Sequence, residues 1–344
     1  MAKLRGAVIG CGFFARNHLH AWRDLAAEGA VELAAVCDLE EARATEAAEA
    51  FAVPGRYTDA QAMIEAERPD FVDVVTTMAS HRKLVELAAA HGVRVIVQKP
   101  FAPTITDCRA MVEACTKAGV PLMVHENFRF QTPVRAVREV LERGAIGRPF
   151  FARISWRTGY DVYANQPYLA LEERFIILDL VIHLLDVARF LFGEVRRLTC
   201  RTASIRPGIR GEDAATILLE HQDRVVCVVD ATYQARQDPD PFPETLIEVD
   251  GSAGTLRLRQ GYALTVTGRE GTLQRDVAPA LLPWASPPWH GVQESVLATQ
   301  RHWIDCLRSG AEPATAGADN LRTFALCEAA YASAATGDTV TPSV

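Results

Sequence analysis

The sequence has no CxxC pair, although it holds eight cysteines: Cys11, Cys37, Cys108, Cys115, Cys200, Cys227, Cys306 and Cys327. They sit in apolar or helical stretches, so reduced core thiols in a cytosolic protein are expected rather than a disulfide framework. Long apolar runs are missing as well. The most apolar stretch, Phe175 to Phe192, is interrupted by Asp179, His183, Asp186 and Arg189, which makes it a buried helix and not a membrane span. Basic excess is absent: the net charge is −7, and a nucleic acid is not the expected partner. No P-loop and no Gly-x-Ser-x-Gly elbow occurs. The histidines and cysteines lack ligand spacing, so no metal is implied. There is no low-complexity segment and no repeat of fixed period. The opening MAKLRGAVIG enters a strand almost at once and leaves no room for a signal peptide, so a cytoplasmic location is expected.

What is present fits a soluble chain of about two domains: 344 residues, 49% hydrophobic and 23% charged. The first part alternates strand and helix. Leu4–Gly10, Val31–Asp38, Phe71–Thr77, Val93–Lys99 and Pro121–Asn127 read as strands. Phe13–Glu28, Glu40–Phe51, His81–Ala90 and Thr104–Ala118 read as helices. That order predicts a parallel doubly wound sheet, with ligands at the carboxyl ends of its strands. The second part begins with a helix at Thr132–Arg143, a strand at Phe150–Thr158 and a helix at Leu178–Phe192. Strands follow at Val195–Ala203, Ala214–His221, Arg224–Gln234, Glu244–Asp250 and Thr255–Gln260, then helices at Gln293–Arg308 and Asn320–Ala335. Strands joined by short turns predict an antiparallel sheet. The expected division is 1–124 and 125–344, with the last helix packing back near the first domain.

Gly10, Gly12 and Ala15 form a G-x-G-x-x-A loop, AVIGCGFFA, between a strand and a helix. Gly10 permits a sharp turn, Gly12 lets a pyrophosphate approach the backbone, and Ala15 lets helix and strand pack closely. Phe13 and Phe14 lie in the same loop. The helix N-terminus offers N–H groups to phosphates. A tight turn without a ligand is the alternative. Asp38 ends the second strand. It can accept both hydroxyls of an adenosine ribose and would repel a 2′-phosphate, favouring NAD over NADP; alternatively it caps the next helix.

The segments AVIGCGFFARNH, VDVVTTMASHRKLVELAAAHGVRVIVQKP, DLVIH and CEAAYASAATGDTV together resemble the glucose–fructose oxidoreductase, inositol dehydrogenase and rhizopine-catabolism family over nearly the whole chain. The resemblance implies a Rossmann domain followed by an α+β domain with a large, mostly antiparallel open sheet. It also implies NAD(P)-dependent oxidoreduction of sugars, sugar acids or cyclic polyols. Homodimers or homotetramers through the open sheet face are expected.

The fifth strand of such proteins usually ends in Glu-Lys-Pro, and here the triplet is Gln98-Lys99-Pro100. Lys99 is then implied to touch the substrate hydroxyl and the nicotinamide ribose, with a cis bond before Pro100. Physics agrees with that place for a cation, because it stabilises negative charge developing on oxygen. Gln98 would also border the cofactor. Losing the glutamate charge favours a lower titration of Lys99. Asp179 and His183, four apart in an apolar helix, match an Asp-x-x-x-His motif. The resemblance makes His183 the general acid/base and Asp179 a ligand of a neighbouring hydroxyl; a hydrogen-bonded core histidine is the alternative. Glu173 to Ile177 stand where relatives often carry glycines, which makes the pocket wall bulkier.

Thr76 and Thr77 are expected to line the cofactor site. His81 joins them by resemblance, or else lies in the first turn of a helix capped by Ser80. The resemblance also implies that Asn127 borders cofactor and substrate, and Arg129 is either a sugar or carboxylate ligand or a domain-interface salt bridge. Trp156 and Arg157 are further substrate candidates, Trp156 being alternatively an ordinary core residue. The aromatic loop Pro283–His290 is a candidate lid. A hydrolase or lyase that recycles bound NAD, and a non-catalytic NAD-binding regulator, are the competing functions.

Overall fold

A computed structural model describes residues 3–343 of the chain; Met1, Ala2 and Val344, the first two part of the stretch read as entering the first strand, lie outside the described residues. The chain divides into two units, Met1–Asn127 with Val296–Leu321, and Phe128–Ser295 with Arg322–Val344. Val296–Leu321 holds most of the penultimate helix (α9, His290–Ser309) and the first residues of the last helix (α10, Gly317–Thr336), whose remainder belongs to the second unit.

The first unit is a six-stranded sheet: β1 (Leu4–Ile9), β2 (Val31–Cys37), β3 (Gly55–Tyr57), β4 (Phe71–Val74), β5 (Arg94–Gln98) and β6 (Leu122–His125). Their order is β3-β2-β1-β4-β5-β6, and every pairing is parallel. Helices α1 (Ala15–Ala27), α2 (Glu41–Phe51), α3 (Ala60–Glu67), α4 (Met78–Ala90) and α5 (Ile105–Ala118) make the crossovers that parallel strands require. β4 and β6 are buried at every residue, which is why the inner strands read as continuous apolar runs instead of alternating. Trp22 packs on Phe71 with ring centroids 4.9 Å apart, and Trp303 of α9 meets Phe71 edge-on at 6.5 Å. β3 and α3 were not expected. β3 is a three-residue edge strand, too short to carry a periodic signal.

The second unit is an eight-stranded sheet in the order β14-β13-β12-β11-β7-β10-β9-β8. Its strands are β7 (Pro149–Arg157), β8 (Val195–Ala203), β9 (Ala214–His221), β10 (Val226–Thr232), β11 (Leu246–Gly251), β12 (Gly254–Arg259), β13 (Ala263–Gly268) and β14 (Gly271–Asp276). Every pairing is antiparallel except β7 with β10. Two strands beyond the sequence expectation, β13 and β14, extend one edge. β14 is polar and exposed, as an edge strand can be, and so lacks an apolar alternation. Helices α6 (Thr132–Glu142) and α8 (Ile182–Phe192) lie on one face, α8 across β7 and β10, α6 against β12; a single turn, α7 (Val162–Asn165), follows β7. Along β7, Ala152, Ile154 and Trp156 are buried, while Arg153 and Arg157 are exposed on the opposite face. Among the described residues no helix is long and apolar enough to cross a membrane.

Candidate active site

In the first unit, β1 delivers the chain to Gly10, whose φ is +100°. A Cβ on Gly10 would stand 2.4 Å from the carbonyl oxygen of Val75, so both the backbone sign and the space demand glycine. A Cβ on Gly12 would meet nothing within 4 Å. Its bareness serves no packing within the chain and leaves the backbone open to a ligand. α1 then begins at Ala15 with no side-chain cap from Phe14 and no acidic residue in its first turn. Its first N–H groups are thus left uncapped by side chains, the arrangement that receives phosphate. Asp38 accepts the Cys11 N–H at 2.8 Å on Oδ2 and the Glu40 N–H at 2.9 Å on Oδ1. It does not cap α2, whose N-cap is Glu40. Instead it ties the glycine loop to the end of β2, and its remaining lone pairs can still take ribose hydroxyls. Burial, then Asp38, pushes the Cys11 thiol up to about 12, so it stays neutral. An open glycine, an uncapped helix start and a half-buried carboxylate together fit an NAD-type dinucleotide.

At the ends of β4 and β5, Ser80 Oγ donates to Thr76 Oγ1 at 2.7 Å and to the Thr77 carbonyl at 2.9 Å. α4 starts at Met78 with Thr77 as N-cap, so Ser80 lies inside the first turn and is not the cap. His81 needs a correction as well. It is wholly buried, with Nδ1 3.1 Å from the Phe101 carbonyl and Nε2 3.1 Å from the Thr76 carbonyl. Neither ring nitrogen is left for a cofactor; the ring braces the two loops that follow β4 and β5. Burial pushes its pKa down against those carbonyl contacts. Lys99–Pro100 is cis. Gln98 also departs from expectation: its Oε1 accepts the Lys99 N–H at 2.6 Å and its Nε2 lies 3.1 Å from His18 Nε2. Both polar ends of the carboxamide thus have partners within the first unit. Asn127 is buried.

In the second unit, the helix expected over Leu178–Phe192 opens with a π-helical turn, Ile177–Val181, before α8 begins. Asp179 sits in the wide turn and His183 in the first turn of α8. The start is held by Glu212, whose carboxylate accepts the N–H groups of Phe175 (3.4 Å) and Ile177 (3.1 Å) and the Tyr331 hydroxyl (2.7 Å). Tyr233 and Tyr168 are raised by burial and, after it, by the charge of Asp179. His183 lies flat against Phe128, centroids 3.9 Å apart and 5° from parallel. Phe128 in turn meets Trp156 at 5.5 Å, and Trp156 meets Phe242 at 6.0 Å. Phe242 is stacked on Tyr160 at 3.9 Å, and Trp289 is edge-on to both. A run of rings thus leads from His183 to the loop read as a lid. Trp156 Nε1 is buried without a hydrogen-bond acceptor.

Two substrate candidates are placed elsewhere. Arg129 forms a buried bidentate pair with Asp186, Nε to Oδ2 at 2.6 Å and Nη2 to Oδ1, and Thr323 Oγ1 also donates to Oδ1 at 3.0 Å. Arg157 shares Asp230 with Arg153 on the sheet face away from α8. Neighbours on a strand point to opposite faces, so Trp156 and Arg157 cannot both face His183. Phe128, Glu212, Phe242 and Tyr160 were not singled out in the sequence; Glu212 and Asp213 beside an apolar strand were the nearest signal. Among the described residues no group of three or more His, Cys, Asp or Glu side chains could hold a metal ion.

A family model described as an oxidoreductase family with an NAD-binding Rossmann fold matches residues 4–126, and one for the GFO/IDH/MocA C-terminal domain matches residues 134–257. The chain is 56% identical to a D-apiose dehydrogenase of Rhizobium rhizogenes over 99% of this chain and 98% of that protein. It is 28% identical to the myo-inositol 2-dehydrogenase of Thermotoga maritima over 87% of each. The crystal structure of an oxidoreductase from Agrobacterium radiobacter in complex with NAD+, L-tartaric acid and magnesium matches with a TM-score of 0.96 at 56% identity, covering 98% of each chain.

Proposed function

The chain belongs to the Gfo/Idh/MocA family of NAD-binding oxidoreductases, and from that premise we propose that its sugar is D-apiose or a closely similar aldose. It is an NAD-dependent dehydrogenase acting on a CH–OH group of a sugar. The observation that carries the choice of sugar is the end-to-end likeness to D-apiose dehydrogenase, twice as strong in identity as that to an inositol dehydrogenase.

Gly10, Gly12, Phe13, Phe14 and Ala15 would hold the pyrophosphate, Asp38 the adenosine ribose, and Thr76, Thr77 and Asn127 the nicotinamide side. Bound NAD supplies the hydride acceptor. His183 takes the proton of the reacting hydroxyl, for which an imidazole held flat by Phe128 is suited. Lys99 steadies the oxygen as that proton leaves. Asp179 accepts from a neighbouring hydroxyl, and the buried Nε1 of Trp156 donates to a sugar oxygen. Phe242, Tyr160 and Trp289 give the apolar face of the sugar an aromatic wall.

The test is NADH formation with D-apiose, myo-inositol, common aldoses and sugar acids. The expected result is a kcat/KM for D-apiose at least about tenfold above any other, a discrimination within reach of one well-fitted pocket. Equal rates with myo-inositol would overturn the choice of sugar. Turnover without net NADH would turn the reading to an NAD-recycling enzyme.

We also propose a homodimer or homotetramer through the open face of the eight-stranded sheet, where Leu218 is 49% exposed beside Thr199 and Val228 of the adjacent strands. A monomer mass by light scattering at micromolar concentration would remove it. Eight free cysteines favour a reducing cytoplasm.

A further inference from the structure

Behind Lys99 lies a chain of buried polar groups that the proposed reaction does not use. His18 on α1 and Asp73 in the middle of β4 are both wholly buried. Asp73 Oδ2 receives His18 Nδ1 at 2.8 Å, Trp22 Nε1 at 2.7 Å and Gln300 Nε2 of α9 at 3.4 Å. On its other side His18 Nε2 is 3.1 Å from Gln98 Nε2, and the His125 ring of β6 lies 4.2 Å from the His18 ring, centroid to centroid.

Donor chemistry permits a single assignment. The main-chain nitrogen of Lys99 can only donate, so the Gln98 atom 2.6 Å from it is the carbonyl oxygen. The other end of the carboxamide is then the NH₂ group, which also only donates. His18 Nε2 therefore carries its lone pair, and the ring proton sits on Nδ1, pointing at Asp73. Donation runs one way: Lys99 N–H to Gln98, Gln98 to His18, His18 to Asp73. Groups aligned in this way polarise one another.

We propose that Gln98 is a positioning residue: it locks His18 in the neutral Nδ1–H tautomer, and the relay so fixed aims Lys99 by holding its main-chain N–H on the Gln98 carbonyl oxygen, at the head of a chain that ends on the buried Asp73. A carboxylate at position 98 could accept from Lys99 equally well. Its second oxygen would face Nε2, however, and would call for a proton there, turning His18 into an imidazolium between two carboxylates. One atom change thus separates a neutral relay from a charged one. The positioning half rests on the reading of Lys99 as a catalytic group; the tautomer half does not.

The experiment uses the full-length protein labelled with ¹⁵N in its histidines. Near pH 7, a value chosen to lie above the ordinary histidine range, the ring nitrogens of His18 are expected to show Nδ1 protonated and Nε2 bare in the wild type. Both are expected protonated in Gln98→Glu, the one spectrum to change identifying His18. A wild-type ring protonated at Nε2 overturns the lock. For positioning, Gln98→Leu is expected to lower kcat about tenfold, the scale of a small misplacement, while KM for NAD stays within about twofold. Gln98→Glu should restore most of kcat and add an alkaline fall in rate that the wild type lacks. Wild-type kcat in Gln98→Leu overturns positioning. Intact turnover in Lys99→Ala, with the nitrogen spectra as expected, would remove the role given to Lys99 and leave the tautomer lock supported.

Discussion

His183 and Phe128 come from segments 55 residues apart, yet their rings lie 3.9 Å apart and nearly parallel. Such a stack restricts the imidazole to one plane, so a proton can leave or arrive only along that plane. For His183→Asn we expect kcat to fall by roughly 10² to 10⁴, the usual worth of a positioned acid–base group, with KM for the sugar little changed. A steady-state titration of NADH formation reads both numbers, and a fall confined to KM would make His183 a binding residue only. Asp179 and His183 were legible in the sequence, because two polar side chains four apart in an otherwise apolar helix require partners. Phe128 was not: a phenylalanine in FRF carries no mark of which ring it will cover. Arg157 shows the converse. Reading Trp156 and Arg157 as one pair ignored the period of two that any strand imposes, and the structure sends the arginine to Asp230 on the far face.

The π-helical turn Ile177–Val181 is the element that sets the angle at which Asp179 and His183 are presented, and such turns concentrate at functional sites. An extra residue per turn needs an anchor, and Glu212 provides it from the loop before β9, joined by the Tyr331 hydroxyl of α10. Glu212→Ala strands two buried N–H groups and a hydroxyl. The expected loss of stability is about 3 kcal/mol, the scale of losing charge-assisted bonds while leaving buried donors unmet. Urea unfolding with an unchanged slope measures it, and a loss below about 0.5 kcal/mol, the size of an ordinary surface change, would deny Glu212 this anchoring role. At this scale the sequence was informative about long periodic elements and silent about short or polar ones. The crossover strands of the first unit were found because burial on both faces makes them uniformly apolar. β3, α3, β13 and β14 were missed because three residues, or a solvent-facing edge, leave no hydrophobic period to detect. The π turn has no composition of its own: its residues read as helix, and its width is imposed by where Glu212 and Phe175 are held.

Over the whole molecule, the division into a parallel and a mostly antiparallel unit followed from strand–helix alternation giving way to strands with short turns. The return of Val296–Leu321 to the first unit did not, because a contact between distant segments is not written in either one. Burial of titratable groups in both units has a global consequence. His81 in the first unit and His221 in the second are at or near zero exposure, and burial pushes the pKa of each down, partly offset by main-chain carbonyls. A histidine whose folded pKa lies below its unfolded value binds fewer protons in the native state, so stability rises with pH where the unfolded chain is protonated. The stabilisation is complete above the unfolded value near 6.5 and is lost as pH falls below it, at up to about 1.4 kcal/mol per pH unit for each ring. Glu244 and Glu294, raised by burial, act with the opposite sign, because the fold holds their protons more tightly than the unfolded chain does. Both carboxyls are present in wild type and in a histidine variant alike, so their share cancels when the two are compared. His221 is the cleaner probe: its Nδ1 is held by the Gly193 carbonyl at 2.8 Å, while its Nε2 is buried with no partner to receive a second proton. Between about pH 7.5 and about pH 5.5, wild-type stability is expected to fall by about 1 kcal/mol more than that of His221→Asn, as one ring's share of the linkage. Denaturant midpoints at the two pH values give the difference directly, and equal losses in the two proteins would mean that His221 is not held neutral by the fold.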